Sequence, residues 1–170
     1  MFERAYLLNL DSRPDRLALS TSRLTRADIP FHRHAAKLGS NRQWQCFLGH
    51  CEMVMAAIRD DVNSVLIFED DVLLRDDYQE RVSACMRDLS FREWDVFYLG
   101  ARLAEAPTPI TPNLASIANC SHTHAYALSR SGMEWFMDTA AELAQRPSVQ
   151  YFDVWMGAQP ARKFMAYPII

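Results

Sequence analysis

Short apolar runs, each followed by a stretch with helical spacing, are the feature of this sequence that most restricts its fold. The runs are apolar throughout rather than alternating, which is typical of strands buried on both faces of a parallel sheet. A second, shorter strand is expected over residues 31–36, where a proline has just ended the preceding helix. The remaining strands are predicted at residues 5–10, 65–68, 94–99, 125–128 and 164–167.

The stretches between these strands predict helices. The first is expected to begin with Ser12 as its N-cap and Pro14 in its first turn, and to run to about Asp28. Three prolines within residues 105–113 indicate a loop or a poorly paired edge segment instead. Strands that alternate with helices predict an α/β fold, in which a mostly parallel sheet binds ligands beyond the carboxyl ends of its strands. The other helices are predicted at residues 42–61, 78–89 and 129–145.

Length and charge exclude several classes of protein. A chain of 170 residues predicts one compact domain, and 49% hydrophobic with 23% charged residues is the composition of a globular protein rather than a disordered one. The formal net charge of −3 provides no basic excess to attract phosphates, so we expect no nucleic-acid partner.

Cysteine spacing and hydropathy predict the cellular location. The four cysteines contain no CxxC pair, so they indicate neither a zinc site nor a disulfide framework and are expected to be reduced core thiols. The apolar run at residues 5–8 is too short for a signal peptide, and no segment reaches the roughly 18 apolar residues of a membrane span. We therefore expect a cytoplasmic protein, with peripheral attachment at the inner face of the membrane as the alternative.

The most informative polar feature is Glu69-Asp70-Asp71, which directly follows one apolar run and directly precedes another. Three carboxylates this close raise one another's pKa unless a cation neutralises them, and Mn²⁺ and Mg²⁺ prefer carboxylate oxygens. A solvated turn is the alternative, but the apolar neighbours favour metal binding. With only five glycines and no glycine-rich phosphate loop, the chain must hold any nucleotide in another way.

Several other side chains could serve either the fold or a site. Arg13 and Arg16 lie three residues apart at a helix start, where they could reach a diphosphate or form surface ion pairs. His50 shares a helix face with apolar residues, a spacing more typical of a core histidine. His122 and His124 precede a strand and could supply a metal ligand, although an ordinary pair at the start of a strand is favoured.

Asp153 is flanked on both sides by apolar and aromatic residues. An acid in such a setting is expected to be a helix N-cap or a catalytic base with a raised pKa, and the two roles are compatible. Asp95 and Glu105 are weaker alternatives for a base.

Several segments together resemble one known family, glycosyltransferase family 25, the lipopolysaccharide or collagen galactosyltransferase type. Residues 6–16 (YLLNLDSRPDR) resemble its N-terminal strand and NLxxRxDR signature, and residues 46–50 (CFLGH) resemble its GCxxSH segment. Residues 65–72 (VLIFEDDV) are similar to its acidic motif. The segments 94–100 and 123–132 and the isolated Asp153 also match by position, so the resemblance extends over nearly the whole chain.

This resemblance implies a GT-A-like fold, a UDP-hexose donor such as UDP-galactose, and a saccharide or glycan-bearing acceptor. Carried over by position, Glu69 and Asp71 would bind Mn²⁺ or Mg²⁺ on the donor diphosphate, and Asp153 would be the general base of an inverting transfer. The nucleotide-sugar site would comprise Asn9, Arg13, Asp15, Arg16, His50, Glu69 and Asp70.

The sequence departs from the family pattern at two positions and in length. Gln45 and Gly49 stand where the family usually has glycine and serine. Family members often continue beyond the last residue here, and we therefore expect part of an acceptor site to be absent or supplied by another subunit. A metal-dependent hexosyltransferase is the expected function. The alternatives are a catalytically silent module that binds nucleotide sugars or glycans, and a nucleotide-sugar hydrolase that uses water as the acceptor.

Overall fold

The computed structural model describes residues 2–146 and 151–168, which form a twisted sheet with helices on both faces. The helices are α1 (Pro14–Arg26), α2 (Arg42–Arg59), α3 (Tyr78–Leu89), α4 (Arg130–Ala144) and α5 (Phe152–Ala158). The strands are β1 (Arg4–Leu10), β2 (His32–Ala36), β3 (Ser64–Glu69), β4 (Val96–Tyr98), β5 (Arg102–Leu103), β6 (Thr108–Pro109), β7 (Leu114–Ser116), β8 (Cys120–Ser121), β9 (Ala125–Ser129) and β10 (Lys163–Ala166).

The main sheet has eight strands in the order β2-β1-β3-β9-β4-β10-β7-β6, and β5 pairs with β8 in a separate ribbon. Strands β1, β2 and β3 pair in parallel, as do β4 and β10. Only β9 and β7 oppose the common direction within this sheet, because each pairs antiparallel with both of its neighbours. The predicted α/β class with a mostly parallel sheet is therefore confirmed.

Apolar residues on both faces of the central strands explain why their sequences do not alternate. In β3, Val65 and Ile67 pack into one core, while Leu66 and Phe68 pack into the other. Helices α2, α4 and α5 contribute to the first core, and α1 and α3 contribute to the second. The central strands are thus buried on both faces of the sheet, as the apolar runs predicted.

This alternation decides where the side chains at the end of β3 point. Glu69 continues the series of Val65 and Ile67 toward α2, whereas Asp70 continues the series of Leu66 and Phe68 toward α1. The antiparallel strand β9 starts where β3 ends, since Ala125 pairs with Phe68 and the backbone N–H of Glu69 donates to the carbonyl of His124 at 3.0 Å. The residues that precede β9 are thereby brought beside the acidic run.

Several local expectations need correction. Helix α1 begins at Pro14 with Arg13 as its cap residue and no side-chain cap, so Ser12 is not the N-cap. Helix α4 is capped by Ser129, whose hydroxyl accepts from the N–H of Gly132 at 3.0 Å. The segment 105–113 contributes the two-residue edge strand β6, and sequence analysis missed β5, β7, β8 and α5. Among the described residues, no helix combines the length and the apolar character needed to cross a membrane.

Candidate functional site

Two clefts meet at the carboxyl ends of β1 and β3. The first, which we call the basic cleft, has a volume of about 200 Å³, and the second, the histidine cleft, about 150 Å³. Cys46 and Glu69 line both clefts, so they form the junction between them. The basic cleft is lined by Leu8, Asn9, Leu10, Arg13, Arg16, Ala36, Lys37, Leu38, Gly39, Arg42, Cys46, Glu69 and Asp70. The histidine cleft is lined by Gln43, Cys46, Glu69, His122, Thr123, His124, Tyr151, Phe152 and Asp153.

Asp70 is held on the α1 side of the basic cleft. Its carboxylate accepts from Asn9 Nδ2 at 2.8 Å and from Arg16 Nη1 at 2.9 Å, and its carbonyl accepts from the Ser20 hydroxyl at 2.7 Å. Asn9 is almost fully buried, and its amide also donates to the carbonyl of Arg13. The predicted residues Asn9, Arg16 and Asp70 therefore form one hydrogen-bonded group at the end of β1.

Arg13 and Asp15 form an exposed pair at the start of α1. Arg13 donates from Nε and Nη2 to the two carboxylate oxygens of Asp15, at 2.9 and 2.6 Å, and this hydrogen bonding lowers the pKa of Asp15 to about 2. Arg13 lines the basic cleft, whereas Asp15 lies outside its described lining. Asp15 therefore holds the guanidinium of Arg13 at the edge of this cleft.

Glu69 points to the opposite side, toward α2 and the start of β9. Its Oε1 accepts from the Thr123 hydroxyl at 2.5 Å and lies 3.6 Å from His50 Nε2, a charge contact too long for a hydrogen bond. Burial by itself raises the pKa of Glu69, but His50, Thr123 and His124 outweigh burial and lower the pKa to about 2. Glu69 is consequently a carboxylate at neutral pH.

His50 is fully buried on α2, as its helical spacing predicted. Its Nδ1 lies 2.8 Å from the Tyr126 hydroxyl, and its Nε2 has no hydrogen-bond partner among the described residues. A buried polar atom without a partner is costly, so its presence beside Glu69 needs a reason. His50 itself is not among the residues lining either cleft, so it can reach a ligand there only through the junction.

Asp71 and His124 extend the group from Glu69 toward solvent. His124 Nδ1 lies 3.0 Å from Asp71 Oδ1, and Glu69, Asp71 and His124 each offer a ligand atom within 4.8 Å of the other two. Two carboxylates and an imidazole suit Mn²⁺, while Mg²⁺ would depend on the carboxylates because it prefers oxygen ligands. The donor chemistry therefore fits the divalent metal that the family resemblance implies.

Asp153 lies on the far side of the histidine cleft, in the first turn of α5. Its Oδ2 accepts from the backbone N–H of His122 at 2.9 Å. The cap residue of α5 is Tyr151, so the expectation that Asp153 is a helix N-cap is wrong. The buried Lys163 donates to the carbonyl of Gly157 and fixes the other end of this short helix.

The two weaker candidates for a base have other partners. Asp95 accepts from Arg162 Nε at 3.0 Å and from the Ser131 hydroxyl at 2.8 Å, and Glu105 accepts from Asn119 Nδ2 at 3.1 Å. Neither lies in the described lining of the two clefts. Asp153 is accordingly the one of the three acids that faces the candidate site.

Several side chains of the site carry no recognisable sequence signal. Thr123 by itself gives no indication of a site in the sequence. If β9 had been known to pair antiparallel with β3, Thr123 and His124 would have been expected near Glu69. Arg33 donates to the Asn9 amide oxygen at 3.2 Å and could not be recognised because β2 carries no motif. Lys37 and Arg42, which line the basic cleft, come from the loop before α2 and its first turn.

Comparison with known proteins identifies the family. The sequence model of glycosyltransferase family 25, described as an LPS biosynthesis protein, matches residues 32–155, which is more than half of the chain. The chain belongs to glycosyltransferase family 25. The family 25 resemblance carried by the acidic motif and its neighbours is thereby confirmed, and the match includes Glu69, Asp71, His124 and Asp153.

Curated relatives within family 25 are similar over part of their length. The "Inactive glycosyltransferase 25 family member 3" of Mus musculus is 25% identical over 128 residues, which are 72% of this chain and 22% of the relative. The human protein of the same name shows the same identity and coverage. The chain thus spans about a fifth of the length of these curated relatives.

Solved structures support the same fold at low sequence identity. The mannose-1-phosphate geranyltransferase of Thermus thermophilus superposes with a TM-score of 0.56 and 12% identity, covering 98% of this chain and 74% of that chain. A glycosyltransferase involved in the glycosylation of the major capsid of PBCV-1 superposes with a TM-score of 0.53 and 13% identity, covering 87% and 72%. The family 25 chain therefore has the predicted GT-A-like fold.

Proposed function

We propose that this chain transfers a hexose, with galactose as the first choice, from a UDP-sugar to a hydroxyl group of a saccharide acceptor. The observation that carries the proposal is the meeting of two chemically different clefts at Glu69: one is lined by cationic side chains, and the other contains Asp153. Transfer needs such a division, because the donor diphosphate and the attacking hydroxyl lie on opposite sides of the anomeric carbon. The family description as an LPS biosynthesis protein supports a lipopolysaccharide-type glycan as the acceptor.

The basic cleft suits the nucleoside diphosphate. Arg13, Arg16, Lys37 and Arg42 line it and can donate charge-assisted hydrogen bonds to phosphate oxygens. The cleft also lies beyond the carboxyl ends of parallel strands, where ligands bind in open α/β sheets. These two features would bind the phosphates in place of the glycine-rich loop that the sequence lacks.

Glu69, Asp71 and His124 are the residues that would hold a divalent metal at the junction. When bound, Mn²⁺ or Mg²⁺ would stabilise negative charge on the departing UDP.

Asp153 is the proposed general base. It would take the proton of the acceptor hydroxyl as that oxygen attacks the anomeric carbon, while UDP leaves toward the basic cleft. Its hydrogen bond from the N–H of His122 fixes the carboxylate on the side of the histidine cleft away from Arg13 and Arg16. The exposed ring of Tyr151 beside it is suited to packing against a sugar face.

A catalytically silent module that binds nucleotide sugars is the second candidate. The curated relatives are named inactive, which favours this candidate. Catalysis is favoured by Glu69, Asp71 and His124, which could hold a metal in this chain. A hydrolase of nucleotide sugars would use the same clefts with water in place of the acceptor.

Donor turnover separates these three functions. The purified chain should be incubated with Mn²⁺ and a panel of UDP-hexoses, with and without lipopolysaccharide-derived oligosaccharides, while released UDP and extended glycan are quantified. We expect UDP release that depends on the acceptor and yields one extended product. UDP release without an acceptor would indicate a hydrolase, and donor binding without any turnover would indicate the silent module.

Asp153→Asn tests the assignment of the base in the same assay. The amide keeps an oxygen that can accept from His122 but cannot take a proton, so transfer should fall about 10²- to 10⁴-fold with donor binding retained. Gln43→Ala, at a neutral position in the same cleft, is the matched control. Near-normal transfer by folded Asp153→Asn protein would show that Asp153 only anchors α5.

A further inference from the structure

A second set of metal-binding side chains lies at the junction of the two clefts. Cys46 and His50 are one helical turn apart on α2, and Glu69 projects toward them from the end of β3. The sulfur, imidazole nitrogen and carboxylate oxygen of these residues all lie within 4.8 Å of one another. The sequence has no CxxC pair, but the fold joins one thiol to a histidine one helical turn away and to a glutamate distant in the chain.

The Nε2 atom of His50 is the independent sign of a ligand. It is fully buried, has no hydrogen-bond partner among the described residues, and lies 3.6 Å from Glu69 Oε1. The proton of neutral His50 can lie on Nε2, facing Glu69, or on Nδ1, where it is donated to the Tyr126 hydroxyl; in the second tautomer Nε2 presents a lone pair to the carboxylate. A cation between these two atoms would satisfy both of them. Histidine ligands of metals commonly donate their other ring N–H to a fixed partner in this way.

We propose that Cys46, His50 and Glu69 bind a borderline or soft divalent cation, and that this cation is Zn²⁺. Nitrogen and oxygen ligands of tetrahedral zinc, at about 2.0–2.1 Å from the ion, lie roughly 3.4 Å apart, close to the observed separation of Nε2 and Oε1. Cys46 Sγ provides a third ligand, and the thiol proton is released to solvent when the S–Zn bond forms. Because Cys46 and Glu69 line both clefts, the ion can enter, and a fourth position remains for water.

The two metal sites share Glu69 and cannot both use it fully. The outer site of Glu69, Asp71 and His124 is richer in oxygen ligands, whereas the inner site contains a thiol and favours Zn²⁺. Zinc on the inner site would therefore draw Glu69 away from a metal on the outer site and suppress donor binding. This regulatory consequence rests on the proposed function, but zinc binding itself does not.

Absorption spectroscopy with Cd²⁺ as the probe tests the inner site without any assay of activity. Cd²⁺ bound to a thiolate gives an ultraviolet charge-transfer band, which we expect in the wild-type protein at a stoichiometry near one. Cys46→Ser should lose the band, and His50→Gln should raise the Cd²⁺ dissociation constant at least tenfold. Cys51→Ser, a thiol on the same helix outside the cluster, should keep the band and is the matched control.

The outcomes separate the site from the function. No band in the wild type, or equal bands in wild type and Cys46→Ser, would overturn the proposal, and circular dichroism verifies that each variant is folded. Zn²⁺ should also weaken Mn²⁺-dependent UDP binding, at a zinc concentration at least tenfold higher in Cys46→Ser than in wild type. If the protein bound Cd²⁺ at Cys46 but never bound UDP, the proposed function would fail while the zinc site stood.

Discussion

Asp70 and Asp71 are neighbours with opposite environments, and the structure predicts opposite consequences of removing them. Asp70 accepts from the buried amide of Asn9 and from Arg16. Leaving the buried Asn9 N–H without an acceptor costs about 1–3 kcal/mol. The Arg16 side chain is 40% exposed, so loss of that ion pair adds less than about 1 kcal/mol.

Asp70→Ala should therefore lower the free energy of unfolding by about 2 kcal/mol, which corresponds to a Tm decrease of roughly 4–8 °C for a chain of this size. Asp71→Ala is the matched control, because the side chains of Asp71 and His124 are 41% and 50% exposed. Its effect should stay below about 0.5 kcal/mol.

Urea unfolding followed by circular dichroism, in the presence of EDTA to remove metal ions, measures both variants. Equal losses of stability in Asp70→Ala and Asp71→Ala would refute the inference that Asp70, through Asn9 and Arg16, stabilises the fold more than Asp71 does. A larger loss in Asp71→Ala would refute the geometry on which the metal site depends.

Three further predictions concern separate parts of the molecule. Arg13→Ala should raise the dissociation constant for UDP roughly tenfold, since a charge-assisted hydrogen bond contributes about 1.5 kcal/mol or more, and should leave Tm unchanged. Calorimetric titration and thermal melting measure the two effects. Gly157→Ala should lower the free energy of unfolding by about 1–3 kcal/mol, because the Cβ of the new alanine would lie 1.8 Å from the carbonyl oxygen of Cys120. Gly39→Ala, which would meet only the flexible Gln45 side chain, should be near neutral. Burial raises the pKa of Asp95, but hydrogen bonds from Arg162 and Ser131 outweigh burial and lower it, so the stabilisation is present above the unfolded pKa of about 4 and is lost progressively as the pH falls through the folded pKa. The difference in unfolding free energy between wild type and Asp95→Asn should accordingly shrink between pH 7 and pH 3.

The sequence predicted those features whose causes are local. Apolar runs buried on both faces predicted β1, β3 and β9, and helical spacing predicted α2 and the buried position of His50. Carboxylates placed directly after a strand predicted the end of β3 as the site. In each case a short segment contains enough information to specify its own environment.

The features that escaped prediction depend on distant parts of the chain. His124 meets Asp71 because β9 runs antiparallel between β3 and β4, and no pattern near His124 specifies that insertion. Two partners of the Asn9 side chain, Arg33 on β2 and Asp70 in the acidic run, come from distant regions of the sequence. The short strands β5 and β8 have only two residues each, too few for a periodic signal.

Calorimetric titration of UDP tests whether Glu69 and Asp71 hold a divalent cation for the donor diphosphate. UDP should be titrated into wild type and Asp71→Ala, each with and without Mn²⁺, with Asp76→Ala as an exposed acid outside the site. We expect Mn²⁺ to tighten UDP binding at least tenfold in wild type and in Asp76→Ala, and to have no effect in Asp71→Ala. Equal affinity for UDP in all these combinations would show that Glu69 and Asp71 hold no cation for the donor diphosphate.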